Sequence, residues 1–212
     1  MLRTALLFSL TLCSSLALAQ VEVKQVQSAK VGAVLAVKIN EDIAPGDYER
    51  LFKGLLANPG KYARKVALLD SIGGSAAEAI KMGRLLRESG FETLVPTNNV
   101  CQGSCVYLLA AGKRKTVRGY VGLHRPYYPA GDSSQASGGY DARRYLREMN
   151  VPVELADTMQ SIDPRSMRVL TPAELQRYGL SAATAQVSPR TTASASDPRP
   201  DSPATELQFY RR

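Results

Sequence analysis

The chain has a single histidine, His124, so any histidine chemistry is confined to one place. It stands in Gly122-Leu123-His124-Arg125-Pro126, at the close of a stretch that reads as a strand. Upstream, Cys101-Gln102-Gly103-Ser104-Cys105 opens a helix after a strand. A serine there can be a nucleophile, with the amide of the next residue, Cys105, in an oxyanion hole. The same position equally suits an ordinary N-cap serine. A third segment, Leu68-Leu69-Asp70-Ser71-Ile72-Gly73-Gly74-Ser75, sets a Gly-Gly turn between a strand and a helix. Glycines there let the backbone approach a ligand, and helix N–H groups can hold an anion or oxyanion. Gly-Gly turns also occur as plain structure. A bare hydroxyl is a weak nucleophile, so Ser104 matters chemically only if His124 reaches it.

The elements that must position these residues alternate. Val31–Ile39 is nearly all apolar and predicts a buried strand. Pro45–Ala57 carries Tyr48, Leu51, Phe52, Leu55 and Leu56 at helical spacing, and Asn58-Pro59-Gly60 stops it. Val66–Leu69 predicts a second strand. A helix follows the Gly-Gly turn to about Ser89, Phe91–Val95 a third strand, then a helix from Gln102–Ser104 through Ala111. Lys115–His124 reads as a strand or hairpin. Arg125–Gly139 is a long loop, with Tyr127, Tyr128 and Tyr140 placed either to grip an extended peptide or to pack on the domain. Tyr140–Met149 and Val153–Ser161 predict helices, and Thr171-Pro172-Ala173-Glu174 is a capping box. The order predicts an α/β domain with a largely parallel sheet.

The ends read differently. Arg3, the apolar run Ala5–Leu12 and Ala17-Leu18-Ala19 have the order of a secretory signal peptide over residues 1–19, cleaved after Ala19. That predicts a periplasmic or secreted protein; an N-terminal anchor helix that stays in place is the other reading. Residues 20–30 read as a lead-in, 31–186 as the folded domain, and 187–212, rich in Pro and Ser, as a flexible tail. Export removes Cys13 and leaves Cys101 and Cys105 as an even pair. In an oxidising compartment they predict a disulfide, both on one helical face; two small residues packing a helix is the other reading.

The chain of 212 residues is 44% hydrophobic, enough for a proper core, which excludes a wholly disordered chain. One histidine and three cysteines exclude a histidine-rich metal site and a four-cysteine zinc site. No cofactor or metal is expected. The formal charge is +8, with Lys113-Arg114-Lys115, Arg118 and Arg143-Arg144 as its clusters. These suit anionic envelope polymers such as peptidoglycan or lipid heads, or a solvated basic face. There is no nucleic-acid motif with interleaved aromatics.

In order, Asp-Ser-Ile-Gly-Gly-Ser (70–75), Gly-Ser-Cys-x-x-Leu-Leu-Ala-Ala-Gly (103–112), Gly-Leu-His-Arg-Pro (122–126) and Arg-Val-Leu-Thr-Pro-Ala-Glu (168–174), closing on Tyr178-Gly179-Leu180, resemble the Clp protease proteolytic subunit. More closely, the chain is similar to the exported ClpP-like predicted periplasmic proteins with a C-x-x-x-C motif, over Val31 to Ala183. The resemblance implies a ClpP/crotonase fold of stacked ββα units and a Ser-His-Asp triad. His124 matches the catalytic histidine, Asp163 the aspartate and Gly74 the oxyanion-hole glycine, with Ser104 as nucleophile and Cys105 as second oxyanion donor.

Two positions depart from the family. Counting back from Leu108-Leu109-Ala110-Ala111-Gly112, the protease's nucleophile falls on Gly103, and Ser104 is one residue late. One residue in a helix is a turn of about 100°. Ile72 replaces the proline usual before the Gly-Gly turn. The resemblance implies an exported, ATP-independent serine peptidase acting on peptides or proteins, with no ATPase partner. A catalytically inactive binding or scaffold protein on the same fold is the alternative. Ring assemblies in the family imply a homo-oligomer.

Overall fold

The structure is a computed structural model that describes residues 21–125, 141–163 and 165–181. The expected signal peptide, the long loop with Tyr127, Tyr128 and Tyr140, and the expected tail lie outside the described residues. Val21–Ser28 (β1) and Gly32–Ile43 (β2) form an antiparallel hairpin, each of the eight β1 residues paired. Asp47–Leu56 (α1) leads to Arg64–Gly74 (β3) and Ala76–Glu88 (α2). Glu92–Val95 (β4), Val100–Gln102 (β5), Cys105–Ala111 (α3), Lys115–Val117 (β6) and Tyr120–Leu123 (β7) follow. Ala142–Glu148 (α4), Glu154–Ser161 (α5), Arg168–Val169 (β8) and Pro172–Arg177 (α6) complete the described elements. The architecture is α/β: among the described residues, a mixed, mostly parallel sheet of eight strands with six helices.

The sheet branches at β3. The path runs β1-β2-β3-β5-β7-β8, while β4 pairs with β3 and β6. β4 lies parallel to Val66–Leu68 and β5 parallel to Ser71, so the two succeed one another along one side of β3. β6 and β7 repeat this one position further out, each parallel to its partner. The Lys115–His124 stretch is therefore two separate strands and not a hairpin. The far end of β3, with β5, β7 and β8, carries the residues singled out for chemistry.

The apolar runs of β2 and β3 are buried on both faces, as continuous hydrophobic strands in a parallel sheet should be. Leu35, Val37, Ile39, Ala67 and Leu69 join the main core with residues of α2 and α3. Val34, Val66 and Leu68, with Leu94 against them, form a second cluster that holds no helical residue. On α1, Leu51 is buried and Tyr48 and Leu55 pack on the core, while Phe52 and Leu56 project outward. Phe52 stacks on Tyr48 at 6.2 Å between ring centroids. Only part of the predicted apolar stripe is therefore core. Tyr145 on α4 is fully buried, donates its hydroxyl to Tyr107 O at 2.7 Å and meets the Tyr107 ring edge-on, tying α4 to α3.

α2 starts on Ser75, whose hydroxyl accepts from Glu78 N–H. The predicted capping box at Thr171 and Glu174 is present in both directions at α6, with Pro172 in its first turn.

Candidate functional site

Two turns meet at the carboxyl ends of β3 and β5. In the first, Ser71 is buried, donates its hydroxyl to Glu41 O at 2.6 Å and accepts the Gly73 N–H. Gly73 and Gly74 both have positive φ, 106° and 122°. A β-carbon on Gly73 would stand 3.0 Å from Gln102 O and 3.2 Å from Ser104 N. One on Gly74 would stand 2.4 Å from Ile43 O. The Gly-Gly pair lets the end of β3 lie against both its neighbour β2 and the second turn. The pair prolongs β3 to Gly74, so the turn into α2 is shorter than the sequence implies.

The second turn runs from β5 into α3. Its disulfide is present, Cys101 to Cys105, with Cα atoms 5.3 Å apart and both residues fully buried. Cys101 lies in β5 and Cys105 opens α3, so the bridge spans a strand-to-helix turn and not one helical face. Gly103 sits inside the bridged loop with φ +51° and donates its N–H to Gly122 O at 3.0 Å. Ser104 is the residue before α3 but makes no side-chain cap. It is 5% exposed, and its hydroxyl donates to Gly74 O at 3.1 Å. The first amide bonds of the turn are Val106 N–H to Gly103 O and Tyr107 N–H to Ser104 O. The Cys105 amide is the first of α3 and so one of the helix-terminal donors with no partner within the helix.

His124 follows β7 and is half-buried. Its Nδ1 lies 2.9 Å from Arg125 O. With the proton on Nδ1, Nε2 is an acceptor. That nitrogen faces Gly103: a β-carbon built there would stand 2.4 Å from Nε2 and 2.8 Å from Cε1. Asp163 lies on an exposed turn after α5. Its carboxylate accepts the Arg165 N–H at 2.8 Å and pairs with the Arg165 guanidinium at 3.5 Å. Among the described residues, no hydrogen bond joins Ser104 to His124 or His124 to Asp163. The structure brings Gly74, Gly103, Ser104 and His124 into one locality. Gly103 bonds to Gly122 O, Ser104 to Gly74 O and His124 to Arg125 O, while Asp163 bonds to Arg165.

Exposed apolar side chains accompany this site. Ser71 pairs with Cys101, Gln102 with Gly122, and Gly122 with Val169. Ile72, one residue beyond Ser71, and Val169 therefore lie at the two sides of this row, and both are more than half exposed. Met167 reaches Gly122 from the same side, where a β-carbon would meet its Sδ at 2.2 Å, and it is 46% exposed. Met167 and Val169 are missed by sequence reasoning. A two-residue strand has no periodicity to detect. Among the described residues, no group of three His, Cys, Asp or Glu could hold a metal ion, and no helix is long and apolar enough to cross a membrane.

No family model matches the chain, and no curated protein matches it.

Proposed function

We propose that this chain is an exported ClpP-like protein, with the ClpP/crotonase arrangement of its α/β fold, that binds extended peptides beside His124 and does not hydrolyse them. The observation that carries this reading is at Gly103. The space facing His124 Nε2 belongs to the residue at the family's nucleophile position, and here that residue has no side chain. The neighbouring hydroxyl, Ser104, is directed to Gly74 O. A triad needs the base within hydrogen-bond reach of the nucleophile and a third group orienting the base. In this chain Arg125 O takes the orienting place at Nδ1, and Asp163 is engaged with Arg165.

What remains is a binding surface. Ile72, Met167 and Val169 are exposed and apolar on or next to the strands that carry His124 and the two glycine turns. Such a surface suits a polypeptide, which brings apolar side chains and amide donors together. The test is calorimetry with an unfolded, carboxymethylated polypeptide, with its intact mass followed over time. The proposal expects saturable binding, at least fivefold weaker for Ile72→Asp with Met167→Asp, and an unchanged polypeptide mass. Cleavage that depends on His124, or binding indifferent to both substitutions, overturns it.

The hydrolase reading draws on one observation: Ser104 is buried next to Gly103, at the start of α3. Its hydroxyl would have to leave Gly74 O and turn by about one helical residue, roughly 100°. His124-dependent cleavage in the same experiment is what that reading expects.

A further inference from the structure

The second apolar cluster borders a cavity of about 320 Å³. Its floor is Val34, Val66, Leu68 and Leu94, from three neighbouring strands on the sheet face opposite the main core. Strand registers set these residues side by side: Leu68 pairs with Leu94, and Leu94 with Thr116. The rim is charged, and the signs are unequal. Lys30 on the β1–β2 turn, Arg64 and Arg118 are three cations against one carboxylate, Glu92. Glu92 is committed, because it is ion-paired to both Arg64 and Arg114. Lys30 and Arg118 have no ion-pair partner among the described residues, and both are exposed.

From this we infer that the cavity binds a single-chain anionic amphiphile, a medium-chain carboxylate in type. Its hydrocarbon lies on Val34, Val66, Leu68 and Leu94, and its acid head is held by Lys30 or Arg118. The volume is at the lower end of small-ligand pockets, about 300–1,000 Å³, which suits one acyl chain rather than a two-chain lipid. An apolar floor favours hydrocarbon, and unpaired cations at the rim favour an anionic head. A second copy of the chain seated isologously would bring the same cations face to face.

The test is calorimetric titration of the full chain with dodecanoate below its micelle concentration, with dodecanol and dodecyltrimethylammonium as head-group controls. The expected result is one dodecanoate per chain, bound at least tenfold more tightly than either control. Lys30→Glu with Arg118→Glu should weaken dodecanoate at least tenfold without moving the thermal unfolding temperature, since both side chains are exposed. A diazirine-bearing dodecanoate should crosslink to peptides from β2, β3, β4 or β6. Equal affinity for the three amphiphiles, unaltered binding by the double variant, no saturable binding, or crosslinks confined to other segments would each overturn the inference.

Discussion

Nε2 of His124 occupies the place where a side chain on Gly103 would begin, 2.4 Å from an ideal β-carbon. The imidazole thus rests on the backbone of the turn, and the missing side chain is what separates this site from a nucleophile–base pair. Gly103→Ser should create such a pair. The left-handed φ of +51° will cost a non-glycine residue about 1–2 kcal/mol, and the ring must swing outward. The expected outcome is a lower unfolding temperature with new fluorophosphonate labelling at residue 103, abolished by adding His124→Ala. Mass mapping of the adduct checks it.

Ser104→Ala should act on stability and not on binding. The change removes a nearly buried hydrogen bond and leaves Gly74 O without its partner, a loss of about 1–2 kcal/mol. Urea unfolding should show this as a lower midpoint at constant slope, while polypeptide affinity stays within twofold of wild type.

The Cys101–Cys105 bridge closes a very short loop, with a sequence separation of 4. Chain-entropy reasoning gives such a loop about 2 kcal/mol, near the bottom of the usual range. Cys101→Ala with Cys105→Ala should lower stability by about that amount. It should also weaken polypeptide binding, because Gly103 lies inside the bridged loop. Paired unfolding and binding measurements on the double variant check both effects.

Three carboxylates predict acid sensitivity. Burial raises the Glu92 pKa, but hydrogen bonds from Arg64 and Arg114 outweigh it and hold the group below its ordinary value. Glu148 is held low chiefly by the Arg84 hydrogen bond, and Glu174 chiefly by the Thr171 backbone N–H. A lowered folded pKa stabilises fully above the unfolded value, about 4.3 for glutamate, and the contribution is lost as pH falls through the folded value. Stability should therefore fall with acidification below about pH 4.3, and Glu92→Gln should flatten that fall. Urea midpoints of both proteins from pH 7 to pH 3 check the difference, which should narrow toward acid.

Much of the fold was legible because its signals are local. The apolar runs at Val34–Ile39 and Val66–Leu69 announce buried strands, and Thr171 with Glu174 announces a helix start. β1 was missed: Val21 and Val23 alternate with polar residues as in a half-buried strand, but the position after an expected cleavage site made residues 20–30 read as a lead-in. The branching at β3 was not legible, since it depends on which strand pairs with which half of its length. In the site, counting back from Leu108-Leu109-Ala110-Ala111-Gly112 puts the family's nucleophile position on Gly103, while its closeness to the His124 ring is a tertiary fact. The direction of the Ser104 hydroxyl does not, because it is decided by Gly74 O on a different turn. The position of Asp163 relative to His124 depends equally on tertiary placement of the turn after α5.

The most direct test of the central claim is fluorophosphonate treatment of the oxidised wild-type protein, with His124→Ala beside it and any adduct mapped by mass spectrometry. Ser104 should stay unlabelled under conditions that label Gly103→Ser. A Ser104 adduct that forms in wild type and disappears in His124→Ala would contradict that claim and establish an activated serine.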